Sequence, residues 1–75
     1  MPRLPRDLSG DQARRAFERA GWVFERQSGS HMVLHHPERP LVNLSIPRHK
    51  TLKPGILRAL IRDAGLSVEQ FIELV

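Results

Sequence analysis

Residues 22–36 read as two short strands broken by a single turn, and that hairpin restricts the rest of the fold more than any other feature of the chain. Residues 22–27 are rich enough in aromatic and β-branched side chains for a strand. Ser28-Gly29 has turn chemistry, and residues 31–36 alternate again until Pro37 stops them. After Glu38-Arg39-Pro40, residues 41–46 give the clearest strand pattern, with Val42, Leu44 and Ile46 on one face and Leu41, Asn43 and Ser45 on the other. The apolar face is expected in the core.

Helical periodicity flanks these strands. Ser9 and Gln12 have capping-box spacing, Asp11 suits the positive end of the helix dipole, and Ala13, Ala16, Phe17 and Ala20 repeat along one face before Gly21 ends the helix. Pro54 opens a second helix carrying Leu57, Leu60, Ile61 and Ala64, which Gly65 closes, with Leu66 folding back onto it. Ser67 and Gln70 repeat the capping spacing, so residues 68–74 are expected to form a short third helix docking Val68, Phe71 and Leu74. The order αβββαα describes an α+β fold in which helices cover one face of a three-stranded antiparallel sheet and leave the other open. Residues 1–8, with two prolines, are expected to be a flexible lead-in to a single domain over residues 9–75.

Charge is the next constraint. Ten of the 12 basic residues are arginines, Lys50 and Lys53 being the only lysines, and arginine's planar fork suits phosphate. From Asp63 onward there are three acids and no base, so residues 1–62 carry a net charge of +7. Such a body is suited to a polyanion, although an ordinary solvated surface would carry the same charge. With no cysteine, disulfide frameworks, thiolate nucleophiles and cysteine zinc sites are excluded. No apolar run reaches the roughly 18 residues of a membrane span, and no leader pattern opens the chain, so a cytoplasmic protein without a membrane partner is expected.

Gly21-Trp22, Arg26, Gly29-Ser30-His31, Pro47-Arg48-His49, Ala64-Gly65-Leu66-Ser67 and Gln70-Phe71 occur in this order at compact spacing. In this combination the chain resembles the HicA (YcfA-like) toxin family over nearly its whole length from about residue 9. The resemblance implies a fold similar to a double-stranded-RNA-binding domain, αβββα with a short extra C-terminal helix here. It also implies an mRNA interferase, the toxin of a type II toxin-antitoxin system, neutralised by a HicB-type antitoxin. The histidine of Gly-Ser-His is the family's functional residue, which corresponds to His31. The Pro- and Arg-rich residues 1–8 depart from the pattern.

RNA can be cleaved without metal or cofactor, because its 2′-hydroxyl lies beside the phosphodiester and a protein need only move protons and stabilise the crowded phosphorane. A histidine, with an unperturbed pKa of about 6.5, holds either protonation state near neutrality. His31 is therefore the expected catalytic residue, set against its plain alternative as a solvent-facing or core strand histidine. Gly29 permits positive φ and Ser30 is small, so a phosphate can approach that turn, which would also serve as an ordinary hairpin turn. Arg26, Arg48, His49, Lys50 and Lys53 cluster in sequence around the hairpin end and the loop after the third strand, and are the expected RNA-binding residues. Each has a solvated surface residue as its alternative.

In a regular hairpin His31, Val33 and His35 share one face and Met32, Leu34 and His36 the other, but a bulge would realign Trp22, Phe24 and Arg26 against them. Trp22 is expected in the core, and Arg14, Arg15 and Arg19 on a polar helix face. A histidine metal site is not expected, since His31 and His35 lie far apart along a strand with no convergent carboxylate. Two further readings stand beside the ribonuclease: a non-catalytic RNA-binding module of the same fold, and an adaptor whose basic face takes an acidic protein. A titratable side chain at a tight turn favours the enzyme over the module.

Overall fold

The computed structural model describes residues 3–75 and is α+β. Its elements are α1 (Gly10–Arg19), β1 (Val23–Ser28), β2 (His31–His35), β3 (Asn43–Pro47), α2 (Pro54–Asp63) and α3 (Val68–Leu74). The sheet is antiparallel in the order β1-β2-β3, as expected from consecutive short connections.

Local chemistry explains the helix limits. The Ser9 hydroxyl accepts from the Gln12 amide at 3.1 Å while the Gln12 side chain accepts from the Ser9 amide at 2.9 Å, and Ser67 and Gln70 repeat the exchange at 3.1 and 2.8 Å. Each box satisfies two amides that the first helical turn leaves unpaired. At the other end of α1, Trp22 donates to the Phe17 carbonyl and Gly21 to that of Glu18; at the end of α2, Leu66 donates to Ile61 and Gly65 to Arg62. Both are Schellman closures, which need a left-handed residue, and Gly21 and Gly65 supply it with φ of 97° and 74°.

Several strand limits differ from those expected. The hairpin turn is Gly29-Ser30 rather than Ser28-Gly29, because Ser28 pairs with His31. Gly29 has φ of 60° and Ser30 has no positive φ, the signs of a type II′ turn, which takes glycine first. His36 lies beyond β2, and β3 begins at Asn43 and ends at Pro47 instead of covering residues 41–46. The Val42 amide is drawn into a turn by the Arg39 carbonyl, and Leu41 is 97% exposed. Val42 still packs against the core from outside the strand.

Met32, Leu34, Leu44 and Ile46 form the covered face of the sheet, against Ala13, Ala16 and Phe17 of α1 and Leu57, Leu60 and Ile61 of α2. Phe71 of α3 stacks at a tilt on Phe17 with ring centroids 5.0 Å apart. Trp22 is in the same cluster, as expected. So is Leu8, whose carbonyl accepts from the Leu52 amide at 2.7 Å, and Leu4 packs on the cluster's edge. Met1 and Pro2 of the expected lead-in lie outside the described residues.

The first turn of α1 rests directly on the end of β3. The buried Gly10 amide donates to the His49 carbonyl at 2.9 Å, and a Cβ at Gly10 would collide with the Pro47 carbonyl oxygen and meet the Arg48 Cα at 3.1 Å. Alanine is the better helix former by about 1 kcal/mol, so the two effects oppose each other. The collision is with backbone and should win: Gly10→Ala is expected to lose roughly 1–3 kcal/mol in urea unfolding and several degrees in Tm. A stabilised variant would remove the close approach from the account.

Candidate functional site

The site is built on the sheet face that the helices leave open. Alternation along β2 turns Met32 and Leu34 inward, so His31, Val33 and His35 face outward. On β3, Asn43 and Ser45 are exposed between the buried Leu44 and Ile46. The pairing sets Ser28 and Pro47 on either side of His31, and Ser45 opposite Val33.

A bulge decides what β1 contributes. Phe24 pairs with Leu34, yet Arg26 pairs with Val33, so Glu25 is the extra residue. In regular pairing of the same sequence Phe24 and Arg26 would share a face; the bulge at Glu25 puts them on opposite ones. Phe24 then lies under the Arg14 guanidinium, 4.0 Å from the ring centre. Arg26 comes onto the face of His31. Together Arg26, Ser28, His31, Val33, Asn43 and Ser45 line a shallow depression of about 410 Å³.

The residues singled out in the sequence are thus divided. Arg26 and His31 come together, with Gly29 and Ser30 on the adjoining turn, where a Cβ at Gly29 would meet open space. Arg26 is held at its own strand by Glu25, 3.1 Å away, in a pair exposed enough to release it. Arg48 turns the other way. Its backbone amide donates to the Ser30 carbonyl at 2.7 Å, while its guanidinium reaches Gln27 at 3.3 Å and Asp11 of α1 at 3.5 Å. His49 is exposed and joined to α1 through its carbonyl; Lys50 and Lys53, both exposed, follow on either side of the buried Leu52 on the way into α2. None of these four lines the depression.

Sequence reasoning missed Ser28, Asn43 and Ser45 as site residues. The alternation of β3 already separates Asn43 and Ser45 from the core, so a signal existed; their neighbourhood to Arg26 requires the cross-strand register. His35 shares the open face but stands roughly 13 Å along the strand from His31.

His36 has another role. One ring nitrogen lies 3.2 Å from the Ala20 carbonyl and the other accepts from the Glu38 amide at 3.1 Å, which fits a neutral ring with its proton on Nε2. The ring meets Trp22 edge-on at 5.3 Å between centroids, and a Cβ at Gly21 would come within 2.7 Å of Nε2. His36 is a clamp between the end of β2 and the end of α1. Among the described residues no group of three or more histidine or carboxylate side chains could hold a metal, and no helix is long and apolar enough to cross a membrane.

The family model described as the HicA toxin of bacterial toxin-antitoxin matches residues 10–66. The chain belongs to the HicA toxin family. The match runs from the first residue of α1 to the Leu66 closure of α2 and includes every residue of the depression, so the HicA region holds the site whole. Residues 3–9 and α3 fall outside it, although Leu8 and Phe71 contribute to its core. No curated protein matches the chain.

His31, which opens β2 in this HicA-family chain, and His36, which follows its last residue, are expected to behave differently when truncated. His31→Ala should leave the thermal midpoint nearly unchanged, within about 0.5 kcal/mol, since the side chain is exposed. His36→Ala removes an aromatic contact and two hydrogen bonds, and should cost roughly 1–3 kcal/mol. Paired melts followed by circular dichroism check both. A large loss at position 31 would make it a structural residue.

Proposed function

We propose that this HicA-family toxin is a metal-independent endoribonuclease, an mRNA interferase, with His31 as its catalytic residue and RNA as its substrate. The observation that carries the reading is the place of His31: exposed, beside the Gly29-Ser30 turn, and sharing one depression with Arg26. Neutral His31 takes the proton from a 2′-hydroxyl as that oxygen attacks phosphorus. The bond from phosphorus to the 5′-oxygen breaks, and the imidazolium returns the proton to the leaving 5′-oxygen. The products are a 2′,3′-cyclic phosphate and a 5′-hydroxyl, with no water, metal or cofactor consumed.

Arg26 stabilises the charge on the phosphoryl oxygens, and the bare Gly29 leaves room for the backbone to approach. Ser28, Ser45 and Asn43 offer hydrogen bonds to the sugar and base beyond the scissile phosphate. Arg48, His49, Lys50 and Lys53, at the same end of the sheet, attract the strand on either side of it by charge. A HicB-type antitoxin would silence the toxin by laying an acidic surface over the open face.

Long single-stranded RNA incubated in excess chelator with the native chain should yield fragments with cyclic-phosphate and 5′-hydroxyl ends. His31→Ala should lower the rate by about 10²–10⁴-fold. Arg26→Gln should lower kcat/KM by roughly 10–100-fold, the worth of one charge-assisted hydrogen bond. Loss of cleavage in chelator with rescue by zinc would overturn metal independence. Intact RNA bound equally by the native chain and His31→Ala would identify a non-catalytic RNA-binding module instead.

A further inference from the structure

A second concavity lies away from the sheet face. Residues 3–7 pass beside the start of α2, and the two enclose a groove of about 520 Å³ that shares no residue with the depression around His31. Its floor is aliphatic: Leu4, Pro5, Leu52, Pro54 and Leu57. Its rim carries Arg3, Arg6 and Arg58, all exposed. Asp7 is the one acid in the lining, and none of these three arginines is in an ion pair among the described residues.

The geometry points to this groove as a docking site for an acidic peptide segment of a partner protein, one that inserts a bulky aliphatic side chain between carboxylates. Charge complementarity selects the occupant. A neutral apolar segment would cover three guanidinium groups without a counter-charge. A nucleic acid would find no aromatic side chain in the lining on which to stack a base, and its phosphates have no use for an aliphatic floor. The start of α2 adds to the positive field: Lys53 at its N-cap makes no side-chain cap, and the first turn holds no acid.

The groove is formed before anything binds. Leu8 is buried in the core and its carbonyl is held by the Leu52 amide at 2.7 Å, which anchors the segment where it leaves the groove. Asp7 just before it has φ of 59°, a left-handed bend that aspartate adopts more readily than most residues, and the bend carries residues 3–6 back over α2. A segment already placed costs less to order on binding. Five of the ten lining residues precede the region matched by the HicA model and five lie within it, so the leading segment supplies one wall of the groove.

The test uses the full chain and a fluorescein-labelled peptide of about twelve residues, a central Leu-Leu pair flanked by glutamates, with a second peptide in which both leucines are serine. Anisotropy at about 150 mM salt should show the leucine peptide binding at least roughly tenfold more tightly than the serine peptide. The double variant Arg6→Glu with Arg58→Glu should weaken the leucine peptide by roughly tenfold or more, with its melting midpoint unchanged because both side chains are exposed. RNA cleavage by that variant should equal the parent's, and His31→Ala should bind the peptide normally, which keeps this result separate from that of the ribonuclease assay. Equal binding of the two peptides, or equal binding by parent and double variant, overturns the proposal. If the charge reversals weaken binding of an oligouridine as much as they weaken the leucine peptide, the groove belongs to RNA and the proposal also falls.

Discussion

Three backbone hydrogen bonds around one loop hold the halves of the molecule in register. The Arg48 amide donates to Ser30 at 2.7 Å, the Gly10 amide to His49 at 2.9 Å, and the Leu52 amide to Leu8 at 2.7 Å. Residues 48–52 are thereby fixed to the hairpin turn, to the first turn of α1 and to the segment before it. Each such bond contributes only about 0.5–1.5 kcal/mol net, but together they set how the sheet is rotated against α1. That rotation packs Met32, Leu34, Leu44 and Ile46 against the helices and puts the exposed His31 and the buried Val33 on the opposite face. It also demands glycine at position 10, where the helix and the Pro47 carbonyl are in backbone contact.

What was legible in the sequence was whatever is encoded within a few residues. Ser9 with Gln12, Ser67 with Gln70, and the helix-closing Gly21 and Gly65 each act over at most five positions, and all four appear where their spacing places them. The strands were legible as strands, while their register was not. The insertion of Glu25 and the one-residue shift of the turn depend on how β1 and β2 pack together, and a single-residue slip exchanges faces. Arg26 reached the site through that insertion. Arg48 left it because its partners, Gln27 and Asp11, are 21 and 37 positions away in sequence, beyond any local pattern.

The charge of the chain is left largely uncompensated by its fold. The four ion pairs of the described residues are all solvent-accessible, and such pairs contribute little to stability. Their bases remain available to a polyanion, and Lys50, Lys53, Arg3, Arg6 and Arg58 are in no pair among the described residues. The same positive field meets two different floors. On the sheet it lies over serine, asparagine and histidine, which can exchange hydrogen bonds with a sugar-phosphate chain; beside α2 it lies over leucine and proline, which cannot.

His31 and His36 show why residue type alone does not identify a site. They sit five positions apart in one histidine-containing strand pattern, and the backbone treats them oppositely. β2 ends at His35, so His36 turns out of the alternation into the angle between Trp22 and the end of α1, where both ring nitrogens find backbone partners. An imidazole held on both sides has no nitrogen left to offer a substrate. His31, at the start of the same strand and next to a turn too small to cover it, makes no side-chain hydrogen bond among the described residues. Its imidazole lines the open-face depression beside Arg26 instead of joining two elements of the fold. The fold ties His36, just beyond β2, to backbone at the end of α1, and leaves His31, at the start of β2, on the open face of the sheet.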